Sequence, residues 1–410
     1  MASNQESAST QRDQRVNLSV LGATAFLRGA HTSAYNVVWQ PFVLSLGASM
    51  PTLGLLSSLG GMNGIVTTLV QPLGGWLADR LGRKPFLILA GVAYIAGYAL
   101  FWLSGALNIW SLLLLGVIAI GVSALANPAR SSITAESVRE RHGSAFSAIL
   151  VASMAPGIIV PALAGLLADH AGYISVFPIA LALEVIGVWL VWRYLRETRS
   201  SDGQGISPRE TLRVLVRSIV PTKGLAGFFC AVAADSFFWG VGWGLLYGML
   251  TDAYHFSAGD LGIMSGVMSL SWAVMQMPIG RYIDRRNIKT MMIVSEAIGI
   301  PLMLIWITQT RFEFFAASQI LFALTAATWV PTISTYLTRA VSPSERAEAF
   351  GRLYLFRGIV SFPSSTIGGF LYAWGGLRAP LIVNMLGILV VMTILALFVC
   401  EPPRNLEAAP

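Results

Sequence analysis

Gly75-Trp76-Leu77-Ala78-Asp79-Arg80-Leu81-Gly82-Arg83-Lys84 and Gly280-Arg281-Tyr282-Ile283-Asp284-Arg285-Arg286-Asn287-Ile288-Lys289 stand 205 residues apart in a chain of 410. Both carry one pattern of glycine, aspartate and basic residues. Each sits in a short polar gap between two long apolar runs, so the repeated unit is a set of membrane helices rather than a soluble module.

The composition around the two gaps fits the same class. Hydrophobic residues make up 55% of the chain and charged residues 11%, and the mean hydropathy is +0.67, a balance suited to a bilayer. A spanning helix needs ~20 mainly apolar residues. Twelve such runs begin near Val16, Pro51, Pro85, Asn108, Ser144, Tyr173, Gly224, Leu261, Lys289, Phe314, Gly351 and Pro380, six on each side of the middle.

Lysine and arginine in short loops favour the cytoplasmic side. With the N-terminus inside, 23 of the 27 Lys and Arg fall on that side, Arg311 and Arg378 fall outside, and Arg28 and Arg357 lie within helices. Both termini are therefore expected in the cytoplasm, with the plasma membrane, a bacterial inner membrane, as the location. The net charge of +7 follows from this topology and calls for no nucleic acid partner. Met1 to Arg15 lacks the apolar core of a signal peptide. Cys230 and Cys400 lie in apolar runs and read as packing residues, with no metal spacing.

The longest inner loop runs from about Arg193 to Lys223. Within it Ser207-Pro208-Arg209-Glu210 has the form of a capping box with proline at the first helical position. Arg209, Arg213 and Arg217 beside Leu212, Leu215, Val216 and Ile219 suit a helix on the anionic inner leaflet, or a solvated linker.

The chain resembles a transporter of the major facilitator superfamily. Gly75, Asp79, Arg80, Gly82, Arg83 and Lys84 match every position of that family's signature between helices 2 and 3, and the second copy keeps Gly280, Asp284, Arg285 and Lys289. The resemblance implies an all-α membrane protein of two six-helix bundles related by pseudo-twofold symmetry. Its parts would be a tail at 1–15, bundles at 16–197 and 224–400 joined by a linker at 198–223, and a tail at 401–410. It also implies that the motif latches the bundles together on the cytoplasmic side; a topology anchor is the plainer role, and fits Arg83 and Lys84. Asn287 and Ile288, where the first copy has Gly82 and Arg83, predict a weaker latch in the second half.

Ionisable side chains within the runs cost about 2.5–3.5 kcal/mol each to insert, and six stand out: Arg28, His31, Glu184, Asp235, Glu296 and Arg357. Thr24, Arg28, His31, Tyr35 and Trp39 form one stripe at helical spacing, which should face protein or water. Superposing the halves places Asp235 within one residue of the counterpart of Arg28, near the bilayer midplane. In the family those two helices line the central cavity, so the two residues are expected to approach each other there. Such a pair serves either as a proton carrier, Asp235 taking a proton when the arginine leaves, or as a fixed ion pair. Arg357 shares a face with Ser361, Ser364 and Gly368, while Trp239, Trp329 and Asn127 complete the expected cavity. Glu184 and Glu296 are assigned to local structural pairs.

The leading reading is a secondary transporter exporting a small amphipathic organic molecule by alternating access, coupled to protons; the alternative is an uptake permease or uniporter for an organic anion held by Arg28 and Arg357. A monomer without cofactor or metal is expected. The drug-exporter pattern is incomplete, because Leu115-Gly116-Val117 stands where an arginine is usual and two glycines of the helix 5 motif are replaced around Pro161 and Gly165. A non-transporting sensor finds no appended domain to support it, and an enzyme no Ser-His-Asp, zinc or paired-carboxylate constellation.

Overall fold

A computed structural model describes residues 2–61, 64–137, 142–197, 220–222, 224–342 and 345–402, except for the side chains of 2–13, 75, 76, 79–81, 142–146, 284 and 347. The inner-loop helix expected around Arg209 to Ile219 lies outside the described residues, as do the side chains of Gly75, Asp79, Arg80 and Asp284.

Twelve helical passes, some of them interrupted, form the fold among the described residues, and we number them in chain order. In the first half these are α1 (Ala2–Ser45), α2 (Met50–Gly60, resuming as Ile65–Leu81), α3 (Lys84–Leu107), α4 (Leu112–Val122 leading into Ala126–Glu136), α5 (His142–Met154, a short turn at Ala155–Ile158, then Val160–Ala171) and α6 (Val176–Tyr194). In the second they are α7 (Ala226–Gly242 and Leu246–Tyr254), α8 (Ala258–Asp284), α9 (Ile288–Thr308), α10 (Phe312–Ala340), α11 (Arg346–Ser361 and Ser364–Gly375) and α12 (Arg378–Phe398). The described residues contain no strand. With no water to satisfy free backbone groups in a bilayer, helices are the natural answer to such runs.

Ten of these passes are long and apolar enough to cross a membrane. The other two, α1 and α11, carry Arg28 with His31 and Arg357 respectively. Helix α1 also reaches back to Ala2, so the polar stretch read as a tail continues the first helix.

Interruptions fall where the sequence weakens the helix ladder: α5 turns at Pro156-Gly157, and α11 breaks before Pro363. Gly82, with φ of 88°, ends α2 in a conformation that suits glycine.

Within the first half, α1 packs on α5 and α6, and α3 on α4 and α6; within the second, α7 packs on α11 and α12, and α9 on α10 and α12. The halves meet along α2 with α11 and α5 with α8. These seams are glycine-lined. A Cβ at Gly54 would lie 2.4 Å from the Ser365 carbonyl oxygen, one at Gly369 2.4 Å from that of Met50, one at Gly262 2.3 Å from that of Pro161. Small residues let helix backbones touch where the hydrophobic effect offers no drive. The α5 seam uses Ala155–Ile158 and Val160–Ala171, while His142–Met154 packs along α1. The halves are thus packed most closely at the face opposite the Asp79 and Asp284 loops, and the seam continues inward where Gly358 of α11 rests on Thr68 of α2.

Cys230, on α7, and Cys400, just beyond the end of α12, are both exposed. That corrects their reading as packing residues: an apolar run in a membrane bundle has a lipid side as well as a protein side.

Candidate functional site

Each half contains a buried cluster of charges, and both lie where α1 and α7, the first helices of the halves, meet later helices of their own bundle. In the first half, Arg28 donates from Nη2 to Oε1 of Glu184 at 2.9 Å. His31 Nε2 lies 2.6 Å from the other oxygen of Glu184, and His31 Nδ1 lies 2.8 Å from the Tyr98 hydroxyl. One neutral tautomer satisfies the ring: Nε2–H donates to the carboxylate, and Tyr98 donates to Nδ1. The guanidinium of Arg28 stands over the Tyr94 ring, 5.2 Å from its centre, a cation–π geometry. Arg28 retains 18% exposure, against 3% for Glu184 and none for His31. Arg130 and Thr24 line the same narrow recess as Arg28 and Glu184.

The stripe on α1 therefore faces its own bundle. Below His31, Tyr35 stacks on Phe101 of α3 with ring centres 5.8 Å apart, and Trp39 packs on the same ring at 4.7 Å. His31 and Tyr35, expected in the central cavity, are instead held between α1, α3 and, for His31, α6. Asn127 is exposed on α4.

In the second half, Asp235 on α7 is buried beside Glu296 on α9. Trp329 and Ser236 stand near Asp235, Trp239 stands near Glu296, and Arg357 supplies the neighbouring positive charge of Asp235, while neither carboxyl oxygen of Glu296 has a hydrogen-bond partner. Glu296 is 1% exposed and Asp235 7%. The guanidinium of Arg357 also stands 5.5 Å from the centre of the Tyr354 ring. Aromatic rings extend the cluster, with Trp239 and Trp243 within 5.5 and 5.2 Å of Phe322.

The structure thus brings together Asp235, Trp239, Trp329 and Arg357, and separately Arg28 and His31. It does not bring Arg28 to Asp235. Their partners are Glu184 for Arg28 and Glu296 for Asp235, each within its own half, as the assignment of both acids to local pairs expects. The signal available was their count: with two arginines and three carboxylates buried in apolar runs, charge balance within each bundle pairs Arg28 with the first half's one acid.

At the basic loops the two halves repeat their contacts closely. Glu197 accepts from the backbone N–H groups of Arg83 and Lys84 at 3.0 and 2.9 Å, and Glu401 from those of Ile288 and Lys289, both at 2.8 Å. Lys84 Nζ donates to the Trp192 carbonyl, and Lys289 Nζ to that of Ala396, both at 2.8 Å. Replacing Arg83 by Ile288 leaves this part of the copy intact, because the cap uses backbone N–H groups. What changes is a side-chain contact: Arg83 pairs with Glu136, whereas Ile288 and Val341, at the matching positions, belong to one apolar cluster. A Cβ at Gly280 would meet open space, and Arg285 is exposed.

The family model for the Major Facilitator Superfamily matches residues 21–250 and again 227–410. The multidrug resistance proteins MdtG of Salmonella arizonae and Salmonella typhimurium are each 24% identical over 373 residues, spanning 88% of this chain and 90% of theirs. Among solved structures, the nucleoside transporter NupG aligns with a TM-score of 0.74 at 16% identity, covering 93% of this chain and 98% of that one. A D-xylose-proton symporter aligns at 0.71 and 14%, covering 96% and 99%. With the family matched across both halves and a twelve-pass fold shared with transporters, the chain belongs to the Major Facilitator Superfamily of membrane transporters.

Proposed function

We propose that this protein is a proton-coupled exporter of small amphipathic organic molecules, with Asp235 and Glu296 as its proton-binding pair. The observation that carries the reading is the juxtaposition of these two buried carboxyls on α7 and α9, with Arg357 as the positive charge neighbouring Asp235. Two carboxylates and one guanidinium leave an excess negative charge in a low-dielectric site, and one bound proton removes it. The proton is exchangeable if movement of α7 or α11 during the cycle changes how close Arg357 lies to the pair. Trp239, Trp243 and Phe322 give the neighbouring wall an apolar surface suited to an amphipathic molecule. The similarity to proteins named for multidrug resistance favours export over uptake. The protein acts as a monomer in a bacterial inner membrane, with the basic loops and both termini in the cytoplasm.

The pair Arg28–Glu184 has a different part. Both of its charges are matched and His31 is satisfied, so it holds α1 to α6 as a unit. A second reading, transport of an organic anion, draws on Arg28 and Arg130 lining one recess with one carboxylate between them.

Sealed vesicles containing the purified protein separate these. Under the leading reading, an imposed pH gradient drives accumulation of amphipathic amines or neutral amphiphiles, and Arg130→Gln leaves that unaltered. Accumulation of carboxylates alone, abolished by Arg130→Gln, would replace it with the second.

A further inference from the structure

The first of the two duplicated loops has a further echo within the first half, at the opposite face of the bundle. Gly75-Trp76-Leu77-Ala78-Asp79-Arg80-Leu81-Gly82 recurs as Gly165-Leu166-Leu167-Ala168-Asp169-His170-Ala171-Gly172, with glycine, leucine, alanine, aspartate and glycine in register. The backbone repeats too: Gly82 and Gly172 end their helices at φ, ψ of 88°, 164° and 79°, 155°.

The aspartate of this echo reaches across to the other half. Asp169 accepts from the N–H of Ala258 at 2.9 Å through Oδ1 and from that of Gly259 at 2.8 Å through Oδ2. Ala258 and Gly259 open α8, so one carboxylate satisfies two of the four N–H groups a helix start leaves free and meets the positive end of its dipole. The other two are satisfied within the second half by a capping box: Asp260 N–H donates to the Ser257 hydroxyl at 3.1 Å and Ser257 N–H to the Asp260 carboxylate at 3.0 Å. One turn before Asp169, Gly165 rests on Ala258, whose carbonyl oxygen would lie 2.1 Å from a Cβ. At the corresponding seam of α11 with α2, the position matching Asp169 is Ala373 or Trp374, and α2 is capped by its own Ser49.

We infer that Asp169 is a positioning residue of the transport cycle: it latches α5 to α8 and holds the bundle closed at the face opposite the basic loops. Separation of the halves there must break both hydrogen bonds and leave two N–H groups of α8 to water. The other seam relies on Ser58, whose hydroxyl accepts from Thr366, and on glycine contact, so the first half supplies the charged member of the closure.

The test is the distance between spin labels on exposed positions at that face, Leu107 at the end of α3 and Phe314 at the start of α10, in a Cys230→Ser, Cys400→Ser background. No substrate or pH gradient is needed, so its failure is distinct from failure of the proton-coupling proposal. The wild type should show mainly the short distance. Asp169→Ala and Asp169→Asn should each raise the long-distance population about tenfold, the weight of lost charged hydrogen bonds, with Asp169→Glu restoring part of the closure. If Asp169→Ala does not fold, Asp169→Asn, which keeps the shape, carries the test. Unchanged distances in a folded variant of either kind would overturn the assignment.

Discussion

Glu184 accepts from two side chains at once, Arg28 and His31, and neither of those has another carboxylate within hydrogen-bonding reach among the described residues. A carboxylate shared in this way is hard to replace. Removing one member of a buried pair strands the other, a loss of about 3–5 kcal/mol; because Arg28 retains some access to water, Glu184→Ala should fall at the lower end, about 3 kcal/mol, read as a shift in unfolding in mixed micelles. His31→Ala, which leaves Arg28 paired, should cost less. Asp235 and Glu296 respond in the opposite sense: Glu296→Gln relieves like charge in an apolar site and is expected to hold or raise stability while weakening coupling. The residues themselves were legible as rare ionisable positions in apolar runs. Their pairing was not, because symmetry between halves says which residues are equivalent, not which helices pack. Arg28 and Asp235 occupy equivalent places on α1 and α7, and equivalence puts each inside its own bundle, against α6 in one half and α9 with α11 in the other.

At the scale of helices, the duplicated caps are the clearest device. Glu197 and Glu401 close the starts of α3 and α9 with equal geometry, so Glu197→Ala and Glu401→Ala should each cost about 1 kcal/mol and to a similar degree, measured in the same unfolding assay. A large inequality would mean the two copies had diverged in function. The sequence reading had located a difference between the copies at Asn287 and Ile288; that difference is confined to the side-chain pair Arg83–Glu136 and its apolar replacement, since a cap formed by backbone groups tolerates a change of residue. Seam glycines allow a second prediction. Gly54→Leu must push back the Ser365 carbonyl, which a Cβ alone would approach to 2.4 Å, so this variant should populate the form open at the Asp169 face and lose turnover with little loss of folded protein, assayed by vesicle flux beside gel filtration.

For the whole molecule, the number of passes, the midpoint of the chain and the two-bundle architecture followed from apolar run length and one repeated polar gap. The two passes that fall short of the apolarity of the rest, α1 and α11, carry Arg28, His31 and Arg357, while their carboxylate partners sit on passes among the ten most apolar. The closed face followed from none of this: it depends on which end of α5 meets α8, a matter of glycine positions and one aspartate. With the Asp169 seam closed, the proposed proton exchange at the Asp235–Glu296 pair falls under control of the moving α7 and α11. The most direct measurement is substrate-driven pH change inside proteoliposomes holding a trapped pH dye, compared with substrate exchange in the same vesicles. We predict that Asp235→Asn and Glu296→Gln retain exchange and lose the pH change; a pH change undiminished in both variants would contradict the assignment of the pair as the proton site.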